Sequence, residues 1–212
     1  AVDLGTTTVV AELVDLSSGN VLGLRSSLNP QAIYGSDVMS RVEAAVRRGE
    51  GPALGALIRS RIGELVDELV RAHGPVGEVV IAGNTVMHHL FCGYDLRGLA
   101  GVPFETAFGE QATFEARELG WEFAAGAQVR VLPCLGGFVG GDILAGILAT
   151  GIHESEGLAA LIDLGTNGEI VIGNRQGLLC ASTAAGPAFE GGAISMGMRA
   201  TTGAIYEVVL EN

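Results

Sequence analysis

Asp163-Leu164-Gly165-Thr166-Asn167-Gly168-Glu169-Ile170 lies between the apolar runs 158–162 and 170–172 and decides how the chain is read. Its β-rich flanks and the Asn167-Gly168 pair predict the tip of a β-hairpin, with turn backbone open to a ligand. Asp3-Leu4-Gly5-Thr6-Thr7-Thr8-Val9-Val10 repeats the order 160 positions earlier: acid, Leu, Gly, Thr, two turn residues, return strand. Glycine lets the main chain approach an anion, and turn N–H groups and threonine hydroxyls donate to phosphate oxygens. An adjacent carboxylate repels phosphate unless it holds Mg²⁺, directly or through water. Either copy alone is accounted for by an ordinary hairpin. Two copies in one order predict a duplicated phosphate cradle.

The chain has 212 residues, 48% of them hydrophobic, enough for one large domain or two modest ones with a real core. No apolar run reaches the roughly 18 residues that span a bilayer, and the start has no basic, apolar-cored leader. No membrane association and a cytoplasmic location are therefore expected. The 24 acidic against 12 basic residues, a net charge of −12, argue against a surface for nucleic acid. One nucleotide held by backbone and Mg²⁺ remains compatible. Cys92, Cys134 and Cys180 stand singly, so neither a disulfide framework nor a zinc or cluster site is indicated, and small core residues are expected. His88 and His89 would point about 100° apart on a helix, which places them at its surface and edge.

In chain order, Val2–Leu4, Thr8–Val14 and Val21–Leu28 read as a three-stranded meander beginning inside its first strand, as in a fragment of something longer. Ser36-Asp37 offers a helix cap before Val38, Val42, Ala45 and Val46 at helical spacing. Pro52 opens a second helix whose apolar face is Leu54, Leu57, Ile58, Ile62, Leu65, Val66, Leu69 and Val70. Arg59, Glu64, Asp67, Glu68 and Arg71 face outward. Residues 78–82 form a strand, Gly83-Asn84-Thr85 a turn that either caps the helix after it or meets a ligand, and residues 86–91 that helix. Residues 94–127 are an irregular excursion with aromatics suited to a local core. A strand follows over 129–132, then a helix interrupted by Gly140, Gly141 and Gly146, glycines that suggest close packing or a close ligand. Asp142 sits near its amino end, where a carboxylate also suits the helix dipole.

The plan is α/β and ribonuclease-H-like, a mixed sheet with a βββαβαβα first unit over 1–155 and the start of a second over 156–212. Residues 3–8 resemble the first phosphate motif of the actin, sugar kinase and heat-shock chaperone superfamily. Residues 163–169 resemble the second, and 138–151 the connecting helix. A narrower resemblance rests on Asn29-Pro30-Gln31, Tyr34-Gly35-Ser36-Asp37-Val38, Gly83-Asn84-Thr85-Val86-Met87-His88, Gly136-Gly137-Phe138-Val139-Gly140-Gly141-Asp142 and Ala185-Gly186-Pro187-Ala188-Phe189-Glu190-Gly191. These are similar to the actin-like ATPase portion of reductive activators of corrinoid proteins.

That resemblance implies ATP hydrolysis coupled to returning a Co(II) corrinoid to Co(I) on a corrinoid iron-sulfur or methyl-carrier protein, with a 2Fe-2S cluster in a domain outside this chain. A homodimer is compatible. Cluster-binding cysteines and the superfamily's adenosine motif are not identifiable, so weak ATP binding by this stretch alone is expected. Asp3 and Asp163 become candidates for Mg²⁺, and Gly5, Thr6, Thr7, Gly165, Thr166 and Asn167 for the phosphates. Asp142 and Asp163 are the catalytic candidates, Asp142 orienting water. Glu169 and Glu190 are weaker acidic candidates with structural roles. A small-molecule kinase of the same superfamily, or a docking module with relic phosphate loops, is the alternative.

Overall fold

Three antiparallel strands open the fold, β1 (Val2–Leu4), β2 (Thr8–Val14) and β3 (Val21–Leu28), with the bounds that the sequence predicts. A computed structural model describes residues 1–106, 108–165 and 167–184. Side chains alternate across a strand, so Val2, Leu4, Val9 and Ala11 enter the core, while Asp3, paired with Val10, faces the other way. Two helices follow. α1 (Val38–Arg47) starts at a capping box between Asp37 and Ser40, and α2 (Gly51–His73) carries Pro52 in its first turn. Leu54, Ile58, Ile62, Leu65, Val66 and Leu69 form the buried stripe of α2. Arg59 departs from the expected outward row: its Nε donates to the Phe91 carbonyl at 2.6 Å and its guanidinium lies 5.8 Å from the Phe91 ring. A long side chain can bury its stem and still find an acceptor.

β4 (Glu78–Gly83) runs parallel to β1 and leads into α3 (Thr85–Cys92). The excursion is less irregular than expected, because it supplies β5 (Ala112–Glu115), antiparallel to β6 (Gln128–Val131) at the sheet edge. Four residues are too few to show a period. Its aromatics do form a local core, with Trp121 2% exposed and 6.3 Å from the Phe91 ring. The sheet order is β3-β2-β1-β4-β6-β5, and β1, β4 and β6 are mutually parallel neighbours in it. His88 and His89 are not at a surface: every residue of α3 is buried, and Tyr94 from the excursion covers both rings.

α4 (Gly141–Thr150) touches β4 on one side and β7 (Ala159–Leu164) on the other. β7, β8 (Asn167–Asn174) and β9 (Gly177–Ala184) form a second, antiparallel sheet, joined to α4 through Val139, Ile143, Ile147, Ile152 and Val171. The expected hairpin is there, but Asn167-Gly168 is not its turn. Leu164 pairs with Gly168, and the Gly165 N–H donates to the Asn167 carbonyl at 2.9 Å, so both residues belong to β8. Register follows the apolar alternation, which sets Ile162 opposite Ile170 and Leu161 opposite Val171. Among the described residues, no helix is long and apolar enough to cross a membrane.

Candidate active site

The first loop is closed by its glycine: a Cβ on Gly5 would lie 2.5 Å from the Thr8 carbonyl oxygen. Thr6 is then held from two directions. Its carbonyl accepts from Arg41 Nη2 at 2.6 Å, and its hydroxyl accepts from Asn84 Nδ2 at 2.9 Å, leaving the hydroxyl proton to donate. Arg41 is 1% exposed and also donates to the Gly35 carbonyl, Gln31 Oε1 and Met87 Sδ. Burial lowers its pKa to about 10, against the pull of Asp37, so the guanidinium stays charged at neutral pH. A fixed cation thus lies beneath the first loop. The sequence reading missed Arg41. The signal was its place three residues after Val38, inside the buried stripe of α1.

Asp163, next to last in β7, pairs with Glu169 and is exposed. It faces the same space as the first loop. Asp3, Gly5, Thr6 and Thr7 line one cavity of about 850 Å³ with Asp163, Gly165, Asn167 and Glu169 from the second hairpin. Asn84 and Asp142 complete the wall. Thr166, Glu190 and the Ala185-to-Gly191 motif lie outside the described residues.

The carboxylates of this cavity act on one another. Asp142 stands in the first turn of α4, where its Oδ1 accepts from the Ile143 N–H at 2.8 Å. Burial pushes its pKa to about 6; the Ile143 N–H opposes this, and Asp163 and Asp3 raise it further. Asp3 opens to the cavity, but the walls remove part of its water, and burial followed by Asp163 raises its pKa. Burial also raises Glu169, opposed by the Ser182 hydroxyl at 2.9 Å and reinforced by Asp142 and Asp163. Acids that disfavour each other's ionised forms around a cavity are the donor set a hard cation relieves. Asp3 and Asp163 could hold Mg²⁺ beside phosphate oxygens carried by the two loops, with Asp142 left facing the same space.

The cysteines differ from expectation. Only Cys92 is buried; Cys180 is exposed, and half-buried Cys134 lies beside His88 and His89.

A family model described as the RACo middle region matches residues 1–155, and another, the C-terminal domain of RACo, the ASKHA domain, matches residues 157–212. The chain belongs to the RACo family. The first loop and Asp142 fall in the RACo middle region, and Asp163 falls in the ASKHA domain, the actin-like fold that the two loops resemble. The chain is 37% identical to the corrinoid activation enzyme RamQ of Eubacterium limosum, over 100% of its own length and 36% of RamQ. It is 29% identical to the Co(II) methylated amine-specific corrinoid protein reductase of Methanosarcina barkeri, over 98% of its length and 40% of that protein. The solved structure of a reductive activator for corrinoid, iron-sulfur protein matches with a TM-score of 0.82 at 41% identity, covering 96% of this chain and 33% of that one. The chain thus spans 33 to 40% of the length of these RACo-type relatives.

Proposed function

We propose that this chain forms the phosphate end of an ATP site in a protein that couples ATP hydrolysis to reductive reactivation of a corrinoid methyl carrier, from Co(II) to Co(I). One observation carries the reading: Asp3, Gly5, Thr6 and Thr7 from one sheet and Asp163, Gly165 and Asn167 from the other line a single cavity with Asp142 in its wall. Gly5, Thr6, Thr7, Gly165, Thr166 and Asn167 hold the phosphates, and Asp3 and Asp163 hold Mg²⁺. The metal neutralises charge on the phosphate oxygens. Asp142 orients the attacking water and takes its proton, a role suited to a carboxylate whose pKa is raised toward neutrality. Residues 1–155 serve as a first ribonuclease-H-like subdomain and 156–212 as the beginning of a second. The names of the relatives support the corrinoid partner. The electron comes from a centre other than the three separate cysteines, a 2Fe-2S cluster in another domain.

The test mixes the full protein with a Co(II) corrinoid carrier and a low-potential reductant and follows the corrinoid absorbance. Co(I) should form with ATP and Mg²⁺ and not with a non-hydrolysable analogue. Equal Co(I) formation with the analogue would remove hydrolysis from the function, and phosphorylation of a sugar or acid would make the protein a kinase instead.

A further inference from the structure

We propose that His88, His89 and Cys134 form a binding site for a thiophilic divalent cation, with Zn²⁺ as its first candidate, clamping α3 to the segment that joins β6 to α4. One potential ligand atom from each residue lies within 4.8 Å of the other two. Tetrahedral zinc with N and S ligands sets such atoms roughly 3.5 Å apart, so the three would close by roughly 1 Å around the ion.

His88 supplies a second, independent observation. It is 1% exposed, and among the described residues neither ring nitrogen has a well-formed hydrogen bond, although the Glu110 main chain acts on the ring. Buried polar atoms are nearly always partnered. Burial lowers the His88 pKa to about 4, helped by His89, so the ring is neutral and has a lone pair for a metal.

The other two residues are set up in complementary ways. His89 Nδ1 lies 2.8 Å from the Thr85 carbonyl oxygen, which can only accept, so the proton is assigned to Nδ1. Nε2 then carries the lone pair, the arrangement that ligating histidines show. The Thr106 hydroxyl now faces Nε2 and would yield to the ion. Cys134 follows β6, and burial, with the Asp142 charge adding to it, holds the thiol at about 11, while the Thr85 hydroxyl and the Gly141 N–H favour the thiolate. A cation reverses that balance: the metal–sulfur bond replaces the S–H bond, and one proton leaves per ion bound. Imidazole and thiolate select zinc over magnesium, so this site takes a different ion from the carboxylate cavity and the proposal does not depend on that cavity's function, although the Asp142 charge acts on Cys134.

The full protein is stripped with a chelator, reloaded with one equivalent of Zn²⁺, and measured by zinc-edge X-ray absorption. Cys134 alkylation is mapped by mass spectrometry with exposed Cys180 as the internal reference. We expect one sulfur at about 2.3 Å, nitrogens at about 2.0 Å, and protection of Cys134 by Zn²⁺ but not by Mg²⁺. Cys134→Ser, nearly isosteric at a half-exposed position, should remove the sulfur shell and weaken Zn²⁺ binding about a hundredfold. His88→Gln should weaken it similarly, and Asp163→Asn should change neither readout. A zinc shell without sulfur, Cys134 unprotected by zinc, or full affinity in Cys134→Ser overturns the proposal.

Discussion

Asn84 joins two elements that are 78 residues apart at their contact: its amide donates to the Thr6 hydroxyl at 2.9 Å, while its Oδ1 accepts from the Met87 N–H at 3.1 Å and caps α3. The cap and the loop anchor are one side chain. Asn84→Ala removes both and should cost about 2 kcal/mol. Asn84→Asp keeps the cap acceptor but loses the donor, so it should cost less. Urea unfolding of the two variants measures the difference, which is the share of the cap, and an equal loss would mean that the cap carries no energy.

Arg41 should be intolerant of replacement even by lysine. Its guanidinium satisfies the Thr6 and Gly35 carbonyls and Gln31 Oε1 at once. An ammonium cannot span that fork. Arg41→Lys should lose about 2 kcal/mol and Arg41→Met about 3 kcal/mol, since buried acceptors are left unpaired. In the full protein both should weaken ATP binding, because the first loop loses its support. A stability loss with ATP affinity intact would confine Arg41 to the fold.

Gly140 is the close approach between α4 and the α3 turn. A Cβ there would lie 2.4 Å from both Asn84 Cα and the Gly83 carbonyl oxygen. Gly140→Ala should therefore destabilise by about 3 kcal/mol through backbone displacement. Gly19→Ala, at φ 73° in open space, should cost only about 1 kcal/mol of backbone strain. Thermal melts of the pair separate contact from conformation, and the reverse order would contradict the packing described.

The strands and caps were legible because their signals are local. Asp37 announces α1, Pro52 announces α2, and the three opening strands are β-rich runs whose buried residues alternate in β1 and the start of β2. The two Asp-Leu-Gly-Thr phrases were legible as a pair, because repetition needs no structure. Features made by long-range contact were not legible. Arg41 reads as a polar helix position until Thr6 is seen above it, and His88 and His89 read as exposed until Tyr94 covers them. The turn position failed for a different reason. Asn-Gly chemistry favours a turn, but pairing of Ile162 with Ile170 fixes the register and draws Asn167 into β8.

Asp142 should give the protein an unusual pH dependence. Its carboxyl has an ordinary value of 3.8 and rises to about 6 in the folded chain. Between pH 4 and 6 the folded state holds more protons at this site than the unfolded state, so its contribution to stability falls as pH rises. Above pH 6 the full cost is present. Asp142→Asn should then stabilise the metal-free protein by up to about 3 kcal/mol at pH 7.5, with the gain vanishing below pH 4. Mg²⁺ should narrow the gap by relieving the ionised carboxylate of the parent protein. Chemical denaturation at several pH values tests this, and a pH-independent gain would make packing, not charge, the cause.

Asp163 separates charge from structure most cleanly. It is exposed near the end of β7, so Asp163→Asn should change stability by no more than about 0.5 kcal/mol. Its charge nonetheless raises the pKa values of Asp3, Asp142 and Glu169. Removing it should lower all three, which NMR titration of the side-chain carboxyls can follow without nucleotide. In the full protein the same substitution removes a proposed Mg²⁺ ligand beside the phosphates and should reduce ATP hydrolysis at least about a hundredfold. The two readouts are independent. A titration shift with normal hydrolysis would keep Asp163 in the cavity but out of the chemistry. A collapse in stability would make it a turn-forming residue whose carboxylate shapes the hairpin.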